Sequence, residues 1–290
     1  MVVLIIGLGL IGGSLAIDIR EKRIAERIIG IDRNVKNAED AFSIGLVDEI
    51  SNIDDAVPAA DLIIIAVPVD QTKLILPDVL GRINSTTVVI DVGSTKEGIC
   101  RTADQHKNRS NFVATHPIAG TENCGPLAAF PGLFKGKLTI ICDSMKSADF
   151  ALARTEVLYT SIGMQIINMK SKEHDLHAAY VSHLSHISSF TLGMTVLDIE
   201  KSEEAIFKLA GSGFASTVRL AKSSPEMWAP IFEQNSHHLS KALNAYIENL
   251  KLFKELIEKK ETDRIYSLIE EANDIRRILE GKNLSTEKHN

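Results

Sequence analysis

Cysteine is scarce in this 290-residue chain: Cys100, Cys124 and Cys142 are widely spaced and form no CxxC pair. That excludes a disulfide framework and a zinc site and predicts reduced thiols, with Cys124 an incidental reactive thiol in a glycine-containing loop. Long hydrophobic runs are missing too, and no stretch approaches the roughly 20 apolar residues that span a bilayer. Positive charge is in deficit. Thirty-two Lys and Arg against 38 Asp and Glu leave a net charge of -6, which argues against nucleic-acid and membrane-surface partners, since both usually need a basic patch. Met1–Ile6 lacks the charged region and cleavage site of a signal peptide, so the expected compartment is the cytosol. There is no internal repeat and no low-complexity tract. What remains, 44% hydrophobic and 24% charged residues, is an ordinary globular composition with length for two domains.

The first half alternates short apolar runs with amphipathic segments. Strands are predicted at Val2–Ile6, Arg27–Asp32, Asp61–Val67, Thr87–Asp91, Phe112–Thr115, Leu138–Ile141 and Met164–Asn168. Helices are predicted at Ile11–Arg20, Val35–Ala41, Gln71–Leu80, Lys96–Gln105 and Ser147–Ser161. Val/Ile-rich strands without polar alternation imply burial on both faces, as in a parallel sheet with crossover helices. After about Met169 the strands stop. Glu173–Glu200 reads as one long helix, kinked near Gly193, followed by a loop through Gly211, Gly213 and Pro225. Leu239 to Ile257 and Ile265 to Leu279 then recur at helical spacing, Gly281 is a stop signal, and a polar tail, Lys282–Asn290, is expected to fray. The expected organisation is an α/β domain over residues 1–168 and an all-α domain over 169–290. A helical half with so many apolar faces predicts a homodimer.

Gly7-Leu8-Gly9-Leu10-Ile11-Gly12 directly follows the first strand and opens the first helix. In a dinucleotide-binding turn the first glycine permits the tight bend, the second lets backbone approach a pyrophosphate, and the third allows close helix packing. The helix N-terminus presents free N–H groups to the phosphates. Asp32 ends the second strand at the spacing expected of a ribose-binding acid. Its carboxylate would accept bonds from a 2′-hydroxyl and repel a 2′-phosphate, so NAD is favoured over NADP, with Arg33 able to soften that preference. Val67-Pro68 and Gly93-Ser94 follow two further strands and would line the nicotinamide half. A lesser role, an N-cap for the next helix, remains open for Ser94 and especially Thr95.

His116, in Thr115-His116-Pro117-Ile118-Ala119-Gly120-Thr121-Glu122, ends the strand from Phe112. Pro117 biases it towards extended backbone, and ligands gather beyond such strand ends. A histidine there can move a proton near neutral pH, or merely cap a loop. His183 and His186 share one face of the long helix, and His174 and His177 form a second i,i+3 pair. In a continuous helix the two pairs point to opposite sides, so no metal is expected. Arg219, near glycines, suits bidentate carboxylate binding, or an ordinary surface salt bridge. Glu122 is its plausible partner.

Together these segments resemble the prephenate/arogenate dehydrogenase family of tyrosine biosynthesis. The resemblance rests on Gly7 to Ser14, Val67-Pro68-Val69, Asp91 to Lys96, His116 to Glu122, Ser182 to His186, and Arg219 to Trp228, in that order. It implies a Rossmann domain with a predominantly parallel sheet joined to a helical dimerisation domain, and NAD-dependent oxidation of prephenate or, alternatively, arogenate. It further implies that His116 is the catalytic histidine and that Ser94 holds the reacting hydroxyl. Arg219 would bind a substrate carboxylate with Glu122 and Thr121 nearby, and His186, with His183 as the other candidate, would complete the pocket. Ser185 stands where the family often has proline, which implies a less kinked helix. No chorismate mutase segment or regulatory domain is recognisable, so a monofunctional enzyme is expected. Two readings compete. A β-hydroxyacid-type dehydrogenase would need a catalytic lysine, here Lys170 or Lys172, and a non-catalytic NAD-binding protein would need no base at all.

Overall fold

The structure, a computed structural model, describes residues 1–201 and 209–279. The expected stop at Gly281 and the tail after it lie outside the described residues. The chain forms two compact units, one of Met1–Leu239 and one starting at Ser240.

The first unit is built on an eight-stranded sheet: β1 (Val2–Ile6), β2 (Arg27–Ile31), β3 (Glu49–Ile50), β4 (Leu62–Ile65), β5 (Val88–Asp91), β6 (Phe112–Pro117), β7 (Leu138–Cys142) and β8 (Gln165–Met169). Their spatial order is β3-β2-β1-β4-β5-β6-β7-β8, parallel throughout except for the antiparallel β6–β7 pair. The chain therefore reverses its direction of winding between β1 and β4, and a crevice opens there beyond the strand ends.

Alternate residues of each inner strand serve opposite layers. Val3, Ile5, Leu62, Ile64, Val88 and Ile90 belong to one buried cluster, while Leu4, Ile6, Ile63, Ile65 and Val89 belong to the other. Each fully buried aliphatic side chain contributes about 1.5–3 kcal/mol. That is several times any local strand preference, so unbroken Val/Ile runs dictate a two-sided sheet. The faces are covered by α1 (Leu10–Glu21), α2 (Val35–Ser43), α3 (Ile53–Ala59), α4 (Val69–Arg82), α5 (Glu97–Ala103) and α6 (Asp149–Ser161). The two-residue β3 was not expected from sequence, being too short to show a periodicity.

The expected helix over Glu173–Glu200 is not continuous. It comprises α7 (Ser171–Ala178), a single π-turn at Ala179–His183, and α8 (Leu184–Glu200). The interruption is the π-turn and not Gly193, which lies inside α8 with only Ala221 Cβ, at 3.8 Å, near where its own Cβ would be. The expected loop before Pro225 also contains structure: α9 (Ser212–Thr217) and a 3₁₀ turn at Arg219–Lys222. Ser216 and Thr217 hydroxyls donate to the Gly213 carbonyl, and Ser189 Oγ on α8 donates to Thr217 O. The helix α10 (Pro225–Gln234) packs on α4 and carries Trp228 and Ile231 into the second buried cluster.

In the second unit, α11, which starts at Ser236 and runs to Glu258, leads to α12 (Thr262–Asn273) and α13 (Ile275–Leu279). Leu252, Leu256 and Leu268 line a common cleft within it. Among the described residues, no helix is long and apolar enough to cross a membrane.

Candidate active site

The glycine turn sits at the β1–β4 crevice, and its three glycines do three different things. Gly7 has φ +99°, and a Cβ there would lie 2.4 Å from the Ala66 carbonyl oxygen. A Cβ at Gly12 would lie 2.0 Å from the Gly7 oxygen, so only glycine allows α1 to start this close to the strand. Gly9 has nothing within 4 Å of its missing Cβ, and as the N-cap of α1 it makes no side-chain bond to the first amides. That open, amide-lined position is what a pyrophosphate requires. Leu10 and Ile11 begin the helix beside it. Asp32 follows β2 and accepts Leu8 N–H at 2.9 Å and Asn34 N–H at 2.8 Å, which fixes its carboxylate at the edge of the turn. Arg33 beside it is exposed. Val67 and Pro68 leave β4 next to Gly7, and Gly93 leaves β5 with its N–H bonded to Asp91 Oδ2 at 2.9 Å. These residues fit a dinucleotide.

Parallel pairing of β5 with β6 stops at Asp91–Ala114, and both Ser94 and His116 lie beyond it. His116 then continues along β7, opposite Ile140. Beneath it the structure places a polar layer that sequence reasoning missed. Lys96 is fully buried, pairs with Asp91, and donates to Thr115 O at 2.8 Å. Thr115 Oγ1 donates to Asp91 O and meets Tyr159 OH at 2.6 Å. A charged pair this deep is costly to break and pins the backbone on which His116 stands.

The His116 ring is held from α7. Its Nδ1 lies 2.8 Å from His174 Nε2, and His174 Nδ1 lies 2.8 Å from Asp175 Oδ1. Asp175 also accepts the backbone N–H groups of Lys96 (2.7 Å) and Glu97 (2.8 Å). Burial raises the pKa of Asp175. The bond and charge of His174 and the two amides outweigh that effect and hold it below the ordinary carboxylate value. Burial, with opposing charge from His174, Lys96 and His183, drives the His116 imidazole well below its usual range, so it is neutral at physiological pH.

His183 is buried, and its Nδ1 lies 3.1 Å from Asn235 Nδ2, which also donates to Asp175 O at 2.7 Å. Burial is the chief reason its pKa falls to about 4. His186 is half-buried, donates Nδ1–H to Ser182 O at 2.9 Å, and stacks on Trp228 with ring centroids 3.4 Å apart. Burial and the nearby Arg219 guanidinium lower its pKa. Arg219 Nη1 is 3.7 Å from Glu122 Oε2, both partly open to solvent, so the expected pairing is present. Thr121 is exposed, and its hydroxyl accepts Asn123 N–H at 3.2 Å. The expected pairing of faces along the long helix fails: His174 and His183 are buried together, whereas His177 is exposed. The π-turn adds a residue to one turn and rotates the downstream helix. Among the described residues no cluster could hold a metal ion.

A neutral histidine on the sheet that carries a dinucleotide turn, with a guanidinium set near a second histidine, is a constellation for oxidising a small anion. Residues 15–168 match the family described as "Prephenate dehydrogenase, nucleotide-binding domain", and residues 170–271 match "Prephenate dehydrogenase, dimerization domain". The chain belongs to the prephenate dehydrogenase family. It is 30% identical over 277 residues to the prephenate dehydrogenase of Bacillus subtilis, covering 94% of this chain and 75% of that one. It is 29% identical to the cyclohexadienyl dehydrogenase of Zymomonas mobilis, over 95% and 94% of the two chains. A crystal structure of the prephenate dehydrogenase from A. aeolicus, in complex with hydroxyphenyl propionate and NAD+, superposes with a TM-score of 0.88 at 29% identity, over 96% and 98% of the chains. For this family member the expected α/β Rossmann fold with helical C-terminal part stands. Lys170 and Lys172, which a β-hydroxyacid-type enzyme would have needed at its centre, are both exposed.

Proposed function

We propose that this chain is an NAD-dependent prephenate dehydrogenase that converts prephenate to 4-hydroxyphenylpyruvate by oxidative decarboxylation. The observation that carries the reading is His116: a neutral imidazole near the end of β6, beyond the last β5–β6 pair, its Nδ1 engaged and no described contact claiming its Nε2. Bound NAD+ supplies the hydride acceptor. Gly7, Gly9, Leu10, Ile11 and Gly12 would cradle its pyrophosphate, Asp32 and Arg33 its ribose, and Val67, Pro68 and Gly93 its nicotinamide half. The NAD+ held by the A. aeolicus enzyme supports that choice.

In this mechanism His116 Nε2 accepts the C4-hydroxyl proton as the C4 hydride departs, and Ser94 orients the hydroxyl. As C4 becomes carbonyl-like, the ring carboxylate leaves as CO2 and its bonding pair aromatises the ring. Arg219 holds a substrate carboxylate, positioned by Glu122 with Thr121 nearby. His186 is the pocket histidine beside Arg219, and His183 stands behind it. A positioned base is worth roughly 10²–10⁴-fold. Residues 1–168 would thus bind nucleotide, and 169–290 would hold substrate and form a homodimer in the cytosol. Exposed Val181, Met194 and Leu197 support the dimer.

The test is absorbance at 340 nm with prephenate and NAD+. The wild type should reduce NAD+, and His116→Asn should lose activity with little change in KM. Normal activity in that variant would remove the assignment. The likeness to a cyclohexadienyl dehydrogenase favours a second reading, activity on arogenate as well, which paired kinetics on the two substrates would reveal.

A further inference from the structure

Four groups in the described structure surround the ring of His116 or feed charge to it: His174 and Asp175 on α7, Lys96 before α5, and His183 on the π-turn. Two of them form a line. Asp175 is ionised, so it can only accept, and the hydrogen between Asp175 Oδ1 and His174 Nδ1 must sit on the imidazole. Where His174 carries a single ring proton, that proton is the one on Nδ1, and Nε2 keeps a lone pair. That lone pair faces His116 Nδ1 at 2.8 Å, and the contact is a hydrogen bond only if His116 Nδ1 carries the proton. The neutral His116 ring is thereby left with its lone pair on Nε2.

We infer that Asp175 and His174 are positioning residues that fix His116 as the Nδ1–H tautomer, so that Nε2 is the base. The inference rests on the dehydrogenase reading only for its kinetic consequence, because the tautomer itself belongs to the resting protein. When Nε2 takes the hydroxyl proton, His116 becomes an imidazolium bonded through Nδ1–H to His174. The positive charge is then stabilised along the line by the Asp175 carboxylate, with no proton transferred to Asp175. The logic is that of a carboxylate orienting a catalytic imidazole, where presenting the wrong tautomer costs about 10⁴-fold. Here a second imidazole is interposed. Both positioning side chains are nearly inaccessible to solvent, His174 at 1% and Asp175 at 2%. Water therefore does not substitute for either.

Three variants and one spectrum test this. His174→Phe removes the acceptor for His116 Nδ1–H, and kcat should fall about 10²–10⁴-fold with KM changed less than about threefold. His174→Gln can still offer its amide oxygen to that N–H and should recover to within about tenfold of wild type. Asp175→Asn should fall between them. Long-range ¹H–¹⁵N spectra of the ligand-free protein should show His116 protonated on Nδ1 in the wild type and in His174→Gln, and on Nε2 in His174→Phe. If His174→Phe does not fold, the Gln and Asn variants and the wild-type spectrum decide. A His174→Phe enzyme with near-normal kcat, a Gln variant no better than Phe, or a wild-type His116 carrying its proton on Nε2 would each overturn the inference. A wild-type protein inert to prephenate and arogenate, yet showing the Nδ1–H tautomer, would sink the functional reading and leave this one standing.

Discussion

The glycine turn allows folding and cofactor binding to be separated by two alanines three residues apart. Gly9 has φ −73° and ψ −162°, an extended conformation open to any residue, and its missing Cβ would meet nothing within 4 Å. Gly9→Ala should leave the fold intact, and the stiffer unfolded chain should add about 0.4–1 kcal/mol of stability. The methyl would nevertheless occupy the space a pyrophosphate needs against the first amides of α1. Losing one charge-assisted hydrogen bond there costs about 1.5–3 kcal/mol, which is roughly a tenfold to hundredfold weaker NAD+ complex. Gly12→Ala is the converse. Its Cβ would stand 2.0 Å from a backbone carbonyl oxygen, which no rotamer change relieves. Overpacking of this kind costs about 1–3 kcal/mol, and the roughly 1 kcal/mol gained from alanine in a helix offsets it only in part. Urea unfolding and calorimetric titration with NAD+ give both quantities for each variant. Gly9→Ala should slightly raise its unfolding midpoint and lose affinity, whereas Gly12→Ala should lose midpoint first. A Gly9→Ala protein that binds NAD+ as tightly as wild type would refute the placement of the pyrophosphate at this turn.

Three other perturbations address the rest of the site. Arg219→Ala should raise KM about tenfold to a hundredfold with a smaller change in kcat, the signature of lost uniform binding; an unchanged KM contradicts the carboxylate role. Asp32→Ser should raise the ratio of kcat/KM for NADP+ over NAD+ at least about tenfold by removing the charge that repels a 2′-phosphate; an unmoved ratio would place the ribose elsewhere. His183, buried with a pKa near 4 against an ordinary 6.5, binds its proton in the unfolded state before the folded one. Stability should therefore decline as pH falls from 6.5 towards 4, by about 3 kcal/mol from this group. His183→Gln should flatten that decline in urea melts at pH 7, 5.5 and 4.5, and an identical slope would show that another group titrates.

The parts of this architecture that depend on neighbours in sequence were legible before any coordinates. Val/Ile runs such as Leu62–Ile65 bury both faces, and the Gly7–Gly12 turn carries its own steric logic, so the sheet and the crevice follow from local pattern. The pairing of Arg219 with Glu122 was also legible, from complementary charge. What could not be read was whatever depended on the helix after β8 being interrupted. Nine positions at about 100° each set His174 and His183 roughly 180° apart on a regular helix, and on that geometry His174 looked irrelevant to His183. No residue type marks a π-turn as proline marks a kink, so neither the interruption nor the buried faces it creates had a signal. The misplacement of the break at Gly193 has the same origin: glycine is the visible candidate and was not the physical cause. Lys96 was read only as the start of a helix, and a lysine is seldom fully buried unless it is paired. Only the strand pairing that brings Asp91 and Thr115 together explains its position.

That buried layer also explains why the site is assembled around α7 instead of within the sheet alone. Asp175 Oδ1 receives Lys96 N–H and His174 Nδ1–H, and Oδ2 receives Glu97 N–H. One carboxylate therefore fixes the backbone two residues after Ser94 and, through His174, the ring of His116. The Lys96 side chain runs the other way, to Asp91 and to the carbonyl of Thr115, the residue before His116. Ser94 and His116 are in this way referenced to each other twice, once through the sheet and once through α7. A loop bearing Ser94 alone would be free to move, since loops at strand ends are the mobile parts of such sheets. Tied at both ends to buried charge, it is held in place, as the proposed mechanism requires, since a displacement of about 1 Å can cost a hundredfold in rate.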